Sequence, residues 1–154
     1  MTVHIQVIGQ KEIERKLTPD IYLPSVSDVL RDSSTYAARE AQRGAGMELG
    51  AIAQSIGAVT VSPMETSVRS QHPGALAAEF GRRAGAPPPP VSALREWAAR
   101  HGMAGFEFAL AQAISRRGIK GRFFLQQARE GLERSELPRL LNRAVAEIER
   151  RWER

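Results

Sequence analysis

The sequence predicts an α+β fold: a small, mostly antiparallel sheet of three or four strands covered by one long helix, followed by a helical C-terminal half. Three observations carry this expectation. Val3, Ile5 and Val7 alternate with His4, Gln6 and Ile8, the two-residue period of a half-buried strand. Two stretches rich in β-branched residues, 56–62 and 66–70, flank Pro63-Met64-Glu65, which reads as a hairpin loop. Over residues 25–43, and again beyond residue 90, apolar residues recur at helical spacing instead.

Taken in order, Gly9 ends the first strand, and residues 10–17 form a short charged helix with Ile13 and Leu17 four apart. Thr18-Pro19-Asp20 breaks the chain. The long helix then opens at Ser25, which with Asp28 makes a capping-box pattern, and it presents Val26, Val29, Leu30, Tyr36, Ala37 and Ala41 on one side. Gly44-Ala45-Gly46 ends it, residues 48–54 allow one or two helical turns, and the hairpin follows. His72-Pro73-Gly74 is turn chemistry, because Pro presets one backbone angle and Gly accepts a positive one. Beyond it Leu76, Ala78 and Phe80 alternate with Ala77 and Glu79. That suits a short strand with one apolar face, and a helical turn fits almost as well. Gly81 stops either.

Pro87-Pro88-Pro89-Pro90 excludes helix and favours extended polyproline geometry, so residues 84–90 form a stiff connector. Helices follow over 91–101, with Leu94, Trp97 and Ala98 on a stripe, and over 106–117, each stopped by a glycine. A loop over 118–122 leads to a further helical stretch over 123–132. Residues 137–152 close the chain with an amphipathic helix whose apolar face is Leu137, Leu140, Leu141, Ala144, Val145, Ile148 and Trp152. A length of 154 residues suits one domain, here 1–154, with a helix-plus-sheet core over 1–83, the connector, and a helical part over 91–154.

Composition narrows the chemistry. There is no cysteine, which excludes disulfides, thiolate metal sites and a cysteine nucleophile. The N-terminus has no basic segment followed by an apolar block, and the longest uncharged run, 49–64, is shorter than the ~20 residues that cross a bilayer. A soluble, intracellular protein without membrane partners is expected. Its net charge is +5, and the positive charge lies in the second half. Residues 1–74 hold seven Lys and Arg against eight Asp and Glu, whereas residues 75–154 hold fifteen against nine.

No catalytic constellation accompanies that charge. His4, His72 and His101 have no metal-ligand spacing, the glycine pairs lack the phosphate-loop pattern, and carboxylates such as Glu130 and Glu133 sit among arginines on solvated helix faces. No enzyme activity, metal or cofactor is expected. The stronger signal is Arg116, Arg117, Lys120 and Arg122, four cations without an acid across a helix end and a glycine-flanked loop. A helix C-terminus accounts for Arg116 and Arg117 without any ligand, but not for Lys120 and Arg122. Arg82 and Arg83, directly after Gly81, are a second candidate pair.

The order of these parts carries a resemblance. A long helix leads to Gly50 and Gln54-Ser55-Ile56. Two strands follow, then Glu79-Phe80-Gly81, and later Arg122-Phe123-Phe124 stands before a helix. This resembles the neck, or head-tail joining, proteins of long-tailed bacteriophages, the gene-product-ten tail-component family. The correspondence spans most of the chain. Family-motif positions fall on Gly50, Ser55, Ile56, Glu79, Phe80, Gly81, Phe123 and Phe124, and Phe123 stands where the family usually has Pro. The helices over 91–117 look like the inserted pair of longer members. The resemblance implies a structural virion protein, a neck or tail-completion component between portal and tail. It would work by assembly in the host cytoplasm as a ring, often of six or twelve copies, with other connector and tail proteins as partners. Arg82, Arg83, Arg116, Arg117, Lys120 and Arg122 would then face DNA in the channel or an acidic ring neighbour. The alternative is a small non-specific DNA-binding protein acting through its Arg-rich loop. As aromatic anchors beside glycines, Phe80, Phe123 and Phe124 are expected to be buried near one another.

Overall fold

The computed structural model describes residues 11 and 18–153. The strand expected over 3–8 lies outside them, as does all but Lys11 of the short helix expected over 10–17. The described chain is α+β, with a long N-terminal helix and a helical C-terminal half. Helix α1, Pro19–Ala45, begins well before Ser25, with Pro19 in its first turn beside the acidic Asp20. Pro24 lies inside it and costs it one backbone bond. Ser25 is therefore not a cap. It is buried, and its hydroxyl donates to Glu147 Oε2 at 3.2 Å, tying the first and last helices together. Gly46, at φ 67°, ends α1 and returns its N–H to the Gln42 carbonyl at 3.1 Å.

A 3₁₀ turn, Met47–Leu49, leads into α2, Gly50–Ser55, which runs directly into β1, Ile56–Ser62. Strand β2, Glu65–Ser70, pairs antiparallel with β1 around the two-residue turn Pro63-Met64, so Glu65 belongs to the strand. The segment after the His-Pro-Gly turn is a helix, α3, Ala75–Phe80. Strand β3, Gly81–Arg82, pairs antiparallel with β4, Ile119–Lys120. Among the described residues the strands thus form two separate two-stranded ladders, not one sheet of three or four. Between β3 and β4 lie a 3₁₀ turn, Val91–Leu94, then α4, Arg95–Arg100, and α5, Glu107–Arg117. After β4, α6, Phe124–Gly131, passes through a π-helical turn, Leu132–Glu136, into α7, Leu137–Trp152. Pro138 sits at the start of α7, and the wider turn before it absorbs the bond that Pro cannot donate.

Helix α1 is the centre of this arrangement, packing against both α6 and α7 and against the hairpin. Its C-terminal half gives Ala38, Ala41 and Ala45 to a core completed by Ile52, Ile56, Ala75, Ala78, Phe124 and Ala128. Its N-terminal half packs Val29 against Leu140 and Ala144. The small residues let the helices approach closely: a Cβ on Gly44 would stand 3.1 Å from Phe124 Cβ.

Two of the three expected aromatic anchors are not buried. Phe124 is 1% exposed, but Phe80 is 66% and Phe123 40% exposed. The reason is the period of α3. A strand would have put Leu76, Ala78 and Phe80 on one face. In the helix Leu76 and Phe80 share the outer side, four residues apart, while Ala75, Ala78 and Glu79 turn inward. Phe123 takes a left-handed conformation, φ 53°, at the start of α6, and only Phe124 enters the core. Phe124→Ala should therefore lower unfolding stability by about 3–5 kcal/mol, and Phe80→Ala by no more than about 0.5 kcal/mol. Chemical denaturation of the two variants measures both, and equal losses would contradict this packing.

Candidate assembly surface

The two motif segments of the resemblance lie side by side, joined backbone to backbone. The Arg122 N–H donates to the Ala78 carbonyl at 2.9 Å and the Phe123 N–H to the Glu79 carbonyl at 3.0 Å. Gly81 pairs with Lys120 and Arg82 with Ile119. Farther out, the Gly85 N–H donates to the Ser115 carbonyl at 2.7 Å, and the Ser115 hydroxyl to the Ala86 carbonyl at 2.6 Å. Glycines make this approach possible. A Cβ on Gly81 would lie 2.5 Å from the Ile119 carbonyl oxygen, one on Gly118 2.4 Å from that of Arg82, and one on Gly121 2.6 Å from that of Glu79.

Glu79 locks the junction. Its side chain is 2% exposed, and its two carboxylate oxygens accept the Leu125 N–H at 2.9 Å and the Gln126 N–H at 3.0 Å. These amides belong to the first turn of α6, where a helix leaves N–H groups without internal partners and where its dipole favours a negative charge. Glu79 is thus a long-range cap for the helix that carries Phe124 into the core. The remaining motif positions are spread around that core. Ile56 is buried at the start of β1 and its carbonyl accepts from Gln42 Nε2 at 2.8 Å. The Ser55 hydroxyl bonds the Ile52 carbonyl at 2.7 Å and stands 2.5 Å from the Ser70 hydroxyl. Gly50 opens α2 under the Arg100 guanidinium.

The β3–β4 ladder brings the two basic segments together: Arg82 in β3 with Arg83 just after it, and opposite them Lys120 in β4, flanked by Arg116 and Arg117 at the end of α5 and by Arg122. Arg122 is not a free charge. It pairs with Glu48, whose carboxyl is held below its ordinary range first by the hydrogen bond from Arg122 and next by that residue's charge. Arg82 donates to the Pro87 carbonyl and so ties the Pro run to β3. Arg82, Arg83, Arg116, Arg117 and Lys120 make no ion pair among the described residues. Leu76, 73% exposed, lies four residues before Phe80 on the outer side of α3, and with Phe123 they are the exposed apolar residues of the two junction segments. The sequence put Leu76 on an apolar face without showing it as exposed, and it did not show the structural use of Gly118 and Gly121, although the glycine spacing around Ile119-Lys120 was its available signal.

A pocket of about 490 Å³ opens between α2 and α3 on one side and the 3₁₀ turn 91–94, α4 and α5 on the other. Ile52, Trp97, Leu110 and Ile114 are among its apolar walls, and Arg82 and Lys120 are among its charged ones. The described residues hold no group of three or more His, Asp or Glu arranged to bind a metal, and none of their helices is long and apolar enough to cross a membrane. Compared with known proteins, the chain matches no family model, no curated protein and no solved structure.

Glu79→Ala should cost about 3 kcal/mol or more, since two charge-assisted bonds are lost and two amides are left unsatisfied, and Glu79→Gln should cost less. Thermal and denaturant unfolding of the pair test this, and a neutral Glu79→Ala would show that α6 needs no cap. The Arg122–Glu48 pair has its own pH signature. Because the Glu48 pKa is depressed in the folded protein, the pair stabilises above the ordinary carboxylate range, and that contribution fades as pH falls through the depressed value. NMR titration of the Glu48 carboxyl should give a midpoint below the ordinary range that returns to it in Arg122→Ala. A midpoint indifferent to Arg122 would refute the pairing.

Proposed function

We propose that this chain is a neck or tail-completion component of a tailed bacteriophage, a structural protein that joins portal to tail by assembling into a ring. The observation that supports this reading is the junction just described. It fastens Glu79-Phe80-Gly81 to Phe123-Phe124, the segments of the family resemblance, and it holds Leu76, Phe80 and Phe123 out in solvent at the edge of a group of unpaired cations. A chain that spends buried hydrogen bonds on keeping two phenylalanines outside has a use for them in contact with another subunit. Unpaired arginines repeated around a ring axis multiply into a strong positive field toward DNA in the channel or an acidic neighbour, weakening with salt over a Debye length of ~8–10 Å. The second reading, a small DNA-binding protein, rests on the same cations, which suit non-specific phosphate contact without any base-reading element.

Assembly distinguishes the two. In a head-tail joining assay with purified heads and tails, Phe80→Asp/Phe123→Asp should fold normally yet fail to yield joined particles, because both residues are exposed in the single chain. Lys120→Glu/Arg116→Glu should also reduce joining, with the difference from the native protein largest at low salt and shrinking as salt screens the charges. Full joining with the phenylalanine variant would eliminate the ring reading. Tight, salt-sensitive binding of the isolated monomer to duplex DNA would then favour the alternative.

A further inference from the structure

We propose that the pocket between α2–α3 and the α4–α5 pair is a docking site for an acidic peptide segment that carries one large apolar side chain. The inference shares Arg82 and Lys120 with the assembly reading but uses none of its exposed apolar residues, Leu76, Phe80 and Phe123, and Ala93→Trp in the closing experiment separates the two. Three features of the pocket specify its occupant. Its volume, about 490 Å³, is that of a small-ligand site and admits one large side chain with its flanking backbone. Its floor, with Ile52, Trp97, Leu110 and Ile114, is apolar, so an occupant must bring apolar surface to gain anything by entering. Its charge is unevenly used. Arg100 is paired with Glu96 and Arg122 with Glu48, but Lys120 has no acidic partner among the described residues. Arg82, although its guanidinium donates to the Pro87 carbonyl, keeps a buried Nε with no acceptor.

The charged lining, Arg82, Arg100, Lys120 and Arg122 against Glu48 and Glu96, is net positive, and an incoming carboxylate complements it. A carboxylate next to an aliphatic or aromatic side chain therefore satisfies both halves of the pocket at once. Nucleic acid suits it less well. The apolar lining, with Ile52, Trp97, Leu110 and Ile114, offers phosphate nothing. The inserted helix pair, the Pro run and β3 then have a shared purpose: they build and wall a receptor groove that the helix-plus-hairpin part lacks without them.

The test uses the full chain and an array of random dodecapeptides, followed by fluorescence polarisation on the peptides retained. Retained peptides should carry Asp or Glu beside Leu, Ile, Phe or Trp. Lys120→Glu should weaken their binding about tenfold or more, and Ala93→Trp, which fills the pocket from a half-exposed position on its wall, should abolish it. Unchanged thermal melting certifies each variant, and if Ala93→Trp does not fold, Lys120→Glu decides. An array that retains no peptide overturns the proposal, as do retention of basic peptides and binding indifferent to Lys120→Glu. So does a twelve-nucleotide single-stranded DNA that binds in place of peptide and is lost in the Ala93→Trp variant.

Discussion

A single buried carboxylate organises this molecule. Glu79 leaves water entirely, and a lone charge could not do so, but two backbone amides and the start of α6 meet it there. Because those amides sit 46 and 47 residues farther along the chain, the interaction fixes tertiary structure as well as a helix end. It sets where α6 begins, hence that Phe124 and Ala128 face α1. It also brings the segment after α3 against the segment before α6 closely enough that glycine alone fits at the crossing points. Arg82 and Lys120 become neighbours only as a consequence.

The parts of the fold that could be read in the sequence are those whose signal is local and long. Residues 25–43 repeat a helical period often enough to define α1, and the hairpin announces itself by β-branched runs on either side of a proline turn. Where the signal is short it is ambiguous. Six residues from Ala75 to Phe80 satisfy the strand and helix periods alike, and the difference decides whether Phe80 is core or surface. Strands β3 and β4 have two residues each and owe their pairing to glycine clearance rather than to strand propensity, so no window of residues reveals them. The basic residues were visible as two groups, but their convergence and the engagement of Arg122 by Glu48 depend on the fold. The pocket was not legible at all, since its walls come from segments far apart in the chain.

Among the described residues the core is lean. Ala38, Ala41, Ala45, Ala75, Ala78, Ala98, Ala111, Ala128 and Ala144 are most of the buried apolar residues described, while Leu76, Phe80, Phe106, Phe108, Leu141 and Val145 are exposed among them. Alanines permit close helix contacts but each removes little apolar area, whereas covering one exposed leucine or phenylalanine is worth about 1.5–3 kcal/mol. The described residues thus leave much of their apolar surface uncovered by one another. Helix α7 displays it most plainly, with Leu140 and Ala144 turned to α1 and Leu141 and Val145 on the uncovered flank of the same apolar stripe.

The bond between Gly85 and Ser115 means that the chain between them leaves the body of the protein and returns to the place it left. Closing such an excursion has an entropic cost that grows only with the logarithm of its length, so that doubling it adds about 0.6 kcal/mol. The residues inside the excursion are therefore nearly free to lengthen, shorten or diversify without disturbing the junction at its base. Evolution can remodel the walls of the groove as an independent module, on a frame whose own tolerance for change is confined by three glycines and one glutamate.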